Sequence, residues 1–177
     1  MSAGNDAANN ANKQLRRILI IAYGRDADAD SRVASLILER LRERSIADSW
    51  WLTLIEDAAL RLEHALDLRP NDLAVFIDTH LHGKAPFEFM EIPSDQEAPI
   101  LPVADTVIPG DLLHALATIG RQGTLPPSFR LTLPLPSDES TEDITPSVDA
   151  SITAAVDFLE GLLGNTSNEH WRSETND

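Results

Sequence analysis

RRILIIAYG, Arg16 to Gly24, is two bases followed by a continuous apolar run of β-branched character that ends in a glycine. A strand with one wet face alternates apolar with polar residues. A run without that alternation is the pattern of a strand covered on both faces, as in the parallel sheets of α/β proteins. The run stops at Gly24 and the acidic loop RDADAD, after which Val33, Leu36, Ile37 and Leu41 recur at helical spacing, with Asp30 or Ser31 as the expected N-cap. LAVFIDT, Leu73 to Thr79, repeats the continuous pattern and contains an acid, Asp78. The two runs are expected as adjacent central parallel strands.

Working outward, Trp50 to Ile55 reads as a second strand and Ala58 to Leu68 as a helix stopped by Arg69-Pro70. Phe87 to Ile92 alternates, with Phe87, Phe89 and Glu91 on one side, and is expected as a short edge strand. Pro109 to Gly120 gives a third helix, and Phe129, Leu131, Leu133 and Leu135 alternate through a last strand. Val148, Ile152, Ala155, Leu159 and Leu162 form one face of a closing helix, with Thr145 as N-cap and Pro146 in its first turn. The order βαβαββαβα predicts an α/β fold, a three-layer α/β/α sandwich around a mostly parallel five-stranded sheet. Residues 17–164 are expected to form a single domain. Residues 1–16 and 165–177, with little to bury apart from Trp171, are expected as disordered tails.

Composition narrows the function classes. At 177 residues a core can form unaided, since a compact chain of this size buries roughly 70% of its unfolded surface. The absence of cysteine excludes disulfide frameworks, zinc ribbons, iron–sulfur clusters and cysteine nucleophiles. A net charge of -15 opposes a phosphate backbone or an anionic membrane surface, so neither nucleic acid nor a membrane is an expected partner. The apolar run around Ile18 to Tyr23 is far short of the 20 or so residues of a membrane span, and the first twelve residues lack the charged start and apolar stretch of a signal peptide. A cytoplasmic protein is expected.

In open α/β sheets ligands bind beyond the carboxyl ends of the strands. There Asp26, Asp28 and Asp30 alternate after strand one, and Asp78, His80 and His82 alternate after strand three. Carboxylates with imidazoles suit zinc, nickel or manganese; the competing structural role is that Asp28 and Asp30 cap the first helix while the histidines are solvated. Asp78 is the leading candidate, because an unpartnered carboxylate at the end of an apolar strand is costly. Its structural alternative is a hydrogen bond to backbone amides at the strand end. Asp30, Asp78 and His80 are expected to open onto one cleft. A dinucleotide site is unsupported, since Gly24 stands alone where three glycines are wanted, and no serine has the flanking glycines of a hydrolase elbow. His114 reads as a boundary residue of the third helix, and Trp50-Trp51 as core.

From about residue 17 to residue 163 the chain resembles the hydrogenase maturation endopeptidases, which trim a C-terminal extension from the large subunit of nickel–iron hydrogenases. RRILIIAYG, DSRVASLILERL, LAVFIDT, GDLLHALATIGRQGTLPPSFRLTL and ITPSVDASITAAVDFLEGLL stand in the family's order with near-family spacing. The resemblance implies a phosphorylase/hydrolase-like fold and a nickel-recognising site of three ligands. Asp78 matches the aspartate after strand three. Ser31 takes the place of the carboxylate after strand one, with Asp30 just before it, and Ile108 takes the place of the histidine. Glu56 and Asp57 fall on the segment that the family associates with substrate recognition, without its glycines.

These matches and departures imply a protease-like factor of hydrogenase maturation that binds the large-subunit precursor, or another maturation factor, with weak or absent peptidase activity. No resident cofactor is expected, and nickel would arrive with the substrate. The alternatives are an active nickel-dependent endopeptidase with a relocated site built on Asp78, Asp30 and His80, and an unrelated α/β ligand-binding module.

Overall fold

The computed structural model describes residues 16–24, 29–44, 50–68, 73–80, 84–93, 107–113, 125–135 and 144–176, leaving out the side chains of 29–31. Its elements run β1 (Ile18–Tyr23), α1 (Ala29–Arg42), β2 (Leu52–Asp57), a 3-10 turn (Leu62–Leu66), β3 (Leu73–His80), β4 (Glu88–Glu91), β5 (Ser128–Pro134), a closing helix (Pro146–Leu163) and a terminal helix (Asn168–Ser173). The five strands lie in the order β2-β1-β3-β5-β4. All pairings are parallel except β4 with β5, so the two continuous apolar runs are neighbours inside the sheet and β4 is an edge.

Strand alternation divides each apolar run between two layers, which is why neither run alternates with polar residues. Ile18, Ile20, Val75, Ile77, Phe129 and Leu131 face α1 and the closing helix. Leu19, Ile21, Ala74 and Phe76 face the opposite layer, built from Leu60, Ala65, Leu68, Leu112 and Leu113. The result is the expected α/β/α sandwich. The closing helix starts as its sequence requires: Thr145 accepts a hydrogen bond from the Val148 amide, and Pro146 occupies the first turn. Arg44 ties α1 to that helix through Asp157 and Glu160, exposed pairs worth about 0–1 kcal/mol each.

The structure departs from expectation in several places. α1 begins at Ala29, so Asp30 and Ser31 lie within its first turn rather than capping it. The stretch Ala58 to Leu68 winds only a 3-10 turn, stabilised where the Arg61 amide donates to His64 Nδ1 at 3.0 Å. Trp50 is 73% exposed just before β2, while Trp51 packs partly against the core. Helix is present over 109–113, and its expected continuation to Gly120, with His114, lies outside the described residues.

The expected C-terminal tail is not a loose end, because one large side chain anchors it. Trp171 is 0% exposed, lies 5.4 Å from the ring of Phe129, and donates from Nε1 to the carbonyls of Leu162 and Asn165. Burying a tryptophan contributes an upper bound of about 4–6 kcal/mol toward offsetting the ordering of this short helix. The low apolar content of residues 165–177 concealed this, since a single residue supplies nearly all of the burial.

Candidate functional site

β3 runs on past its apolar residues, so Asp78 sits within the strand, directly opposite Thr132 of β5. Alternation puts its side chain on the same face as Ala74 and Phe76, and it is 7% exposed. Three neighbours meet it on that face. The Thr132 hydroxyl donates to Oδ1 at 2.8 Å; Tyr23 Oη donates to Oδ2 at 3.1 Å from β1; Arg130 donates to Oδ2 from Nε at 2.8 Å and from Nη2 at 2.5 Å. The alternative of backbone amides at a strand end is thus replaced by side chains from two adjacent strands. Burial first, and then the Asp78 carboxylate, hold the Tyr23 hydroxyl protonated far above the usual tyrosine range, with Arg130 pulling the other way.

This donor set does not fit a metal. Asp78 already has a guanidinium as its counter-cation, and a divalent ion on the same oxygen would have to displace Arg130 or lie against its charge. Among the described residues no group of three or more His, Asp or Glu side chains is placed to hold an ion. Ile108 has no lone pair to offer; it is exposed, and its amide donates to Asp111 Oδ2 at 2.9 Å at the start of the 109–113 helix. The side chains of Asp30 and Ser31, and all of Asp26, Asp28 and His82, lie outside the described residues. His80 ends β3, exposed, on the face that Asp78 shares by alternation.

A cleft of about 530 Å³ opens beside the ends of β1 and β2, lined by Tyr23, Gly24, Ser35, Glu56, Asp57 and Ala58 among others. Of the residues expected to share one cleft, neither Asp78 nor His80 is in its lining. Tyr23 belongs to both regions, as a residue of the cleft lining and through its hydroxyl on Asp78. Glu56 accepts from Ser35 Oγ at 2.5 Å and pairs with Arg42 at 3.4 Å. Asp57 pairs with Arg61 at 3.1 Å and lies 3.4 Å from Nε2 of the buried His64. Since His64 Nδ1 accepts the Arg61 amide, neither ring nitrogen is free to act as a base, and the Asp57–His64 pair is a brace. The cleft therefore offers acceptors, two carboxylates and a hydroxyl, suited to the amides and cations of a peptide segment.

Tyr23, Arg130 and Thr132 did not stand out in the sequence. The available signal was that Arg130 and Thr132 alternate with the core residues Phe129, Leu131 and Leu133 and so share the other face of their strand. That they meet Asp78 follows from the β3–β5 register.

The solved structures that resemble this one share its fold. The hydrogenase maturating endopeptidase HybD from E. coli superposes with a TM-score of 0.64 at 21% identity, over 85% of this chain and 94% of that one. The [NiFe] hydrogenase maturation protease HycI from Thermococcus kodakarensis gives 0.60 at 16%, over 84% and 93%. A hydrogenase 2 maturation peptidase from a Thaumarchaeota archaeon gives 0.56 at 17%, over 84% and 99%. No family model and no curated protein matches the sequence. At these identities the likeness shows that the chain has the fold of the hydrogenase maturation endopeptidases, over nearly the full length of each. Among the described residues no helix is long and apolar enough to cross a membrane.

Proposed function

We propose that this chain acts in the maturation of the large subunit of nickel–iron hydrogenases as a protease-like binding factor, docking the precursor or a maturation factor with weak or no peptidase activity of its own. The observation that carries the reading is the closure of Asp78 by Arg130, on a fold shared with endopeptidases. The aspartate that matches the family's ligand here has a protein cation, and the matching histidine position is Ile108. Losing ligands requires only substitution, whereas relocating the site to Asp30 and His80 would require a metal to compete with that guanidinium. In this reading a segment of the partner takes the cleft beside Glu56 and Asp57, and nickel stays with the partner. The reading keeps the chain in the cytoplasm, in line with its acidic, cysteine-free composition.

The test mixes the chain with a nickel-loaded large-subunit precursor that carries its C-terminal extension, and follows both complex formation and the mass of the precursor. The expected result is a complex whose precursor keeps its extension. Loss of the extension with the wild type, abolished by Asp78→Ala, would establish the active-peptidase reading instead. Absence of any complex would end the hydrogenase reading.

A further inference from the structure

β4 is an edge strand of four residues, and its hydrogen-bonding groups are divided between two sides. The even-numbered positions face β5, as the Ile92 amide bonded to the Ser128 carbonyl at 2.8 Å shows, so the groups of Phe87, Phe89 and Glu91 point away from the sheet. The chain's own C-terminal segment occupies those of Phe89 and the carbonyl of Phe87. The Asn176 amide donates to the Phe89 carbonyl at 3.0 Å, the Phe89 amide donates to Asn176 Oδ1 at 2.5 Å, and Asn176 Nδ2 donates to the Phe87 carbonyl at 3.3 Å. One asparagine thus supplies the donor and acceptor that a neighbouring strand would supply. Arg172 clamps the Glu91 carboxylate with Nε and Nη2 at 2.7–2.9 Å, and Trp171 fills the hollow beside Phe89 and Phe129.

We infer that residues 168–176 guard this sheet edge, and that the uncovered Phe87–Glu91 edge is a strand-addition surface for a second copy of this chain. An open edge with unpaired backbone groups is a template for pairing. The sequence of this edge admits a self-register without like-charge contacts. In an antiparallel pair centred on Phe89, both Phe89 residues face each other, Phe87 faces Glu91 and Glu88 faces Met90, so no carboxylate stands opposite another. The outward groups of Phe87, Phe89 and Glu91 are the ones that this register would bond. The inference is independent of the proposed function, because it concerns the edge remote from β1, β2 and the cleft between them.

The absence of native cysteine makes the register directly testable. Full-length chains carrying Glu88→Cys are mixed with full-length chains carrying Met90→Cys, with the guard intact or loosened by Arg172→Ala/Asn176→Ala, and then oxidised. Facing positions that lack backbone hydrogen bonds bring their Cα atoms within disulfide range. Mixed disulfide dimers are expected to form faster with the loosened guard, by roughly tenfold or more, and not from either cysteine chain alone. Amide exchange at Phe89 reports release of the guard, and Trp171→Phe serves as the second loosened variant, leaving both exposed anchors in place. Equal cross-linking with the guard intact would overturn the inference, as would unchanged Phe89 exchange in both variants. Faster Phe89 exchange without mixed dimers would overturn it as well.

Discussion

Two acidic regions lie a few residues apart around Tyr23 and have opposite characters. Asp78 is buried within the sheet, with Thr132, Tyr23 and Arg130 on its carboxylate. Glu56 and Asp57 stand on the cleft with cations at 3.1–3.4 Å that are themselves largely exposed. The difference is one of solvation. A carboxylate in a dry layer must be neutralised within the protein, and once neutralised it holds strands together rather than attracting an ion. A carboxylate in water forms weak pairs that a partner can exchange. The residue with the stronger sequence claim to be a ligand is therefore the one that the fold has used, and the accessible chemistry lies next to it.

The largest effect should come from breaking the buried pair on one side. Arg130→Met leaves the Asp78 charge unpaired; because the Arg130 side chain is 39% exposed, the expected loss is about 2–3 kcal/mol, below that of a fully buried pair. Urea unfolding measures it, and an unchanged midpoint would break the comparison. Asp78→Asn keeps the shape but weakens the bonds from Arg130 and Tyr23, with an expected cost of about 1–2 kcal/mol. Added nickel should raise the melting temperature of neither this variant nor the wild type. A nickel-dependent rise in the wild type that Asp78→Asn removes would show that Asp78 is a ligand.

Tyr23→Phe should cost about 1 kcal/mol near neutral pH, the net worth of one hydrogen bond. It also sharpens the comparison through pH. The folded Tyr23 hydroxyl titrates above its unfolded value of about 10, so the stability it contributes is complete below that pH and is lost as pH rises beyond it. The wild type should therefore lose stability above about pH 10 more steeply than Tyr23→Phe, as denaturant titrations at successive pH values would show.

The smallest effect on stability is expected at the cleft. Glu56→Gln should change unfolding free energy by about 0.5 kcal/mol or less, since Glu56 pairs with a largely exposed cation, and Asp57→Asn should cost somewhat more, since Asp57 also braces the buried His64. Reversing both charges to lysine should nonetheless weaken binding to a hydrogenase large-subunit precursor by roughly tenfold, readable by calorimetry.

Much of the architecture was legible because double-sided burial leaves a local signature. Ile18 to Tyr23 and Leu73 to Thr79 had to be covered on both faces, and the alternation of Phe87, Phe89 and Glu91 marked β4 as an edge. The misreadings have a common origin. Apolar periodicity from Ala58 to Leu68 predicts a helix, but the described residues wind a 3-10 turn braced by Asp57 and His64. In the last thirteen residues, average composition hid the single tryptophan that secures the segment.

The sequence by itself determined the layers, the parallel core strands and the likeness to the hydrogenase maturation endopeptidases, because each rests on patterns within short stretches of chain. It also singled out Asp78 as a carboxylate in need of a partner. Only the tertiary structure decided what that partner is. Arg130 and Thr132 lie more than fifty positions away and reach Asp78 through the register of β3 and β5, while Tyr23 reaches it from β1. The pairing of Asp78 with Arg130 and Thr132 thus belongs to strand register, which brings distant residues together and which no local pattern encodes.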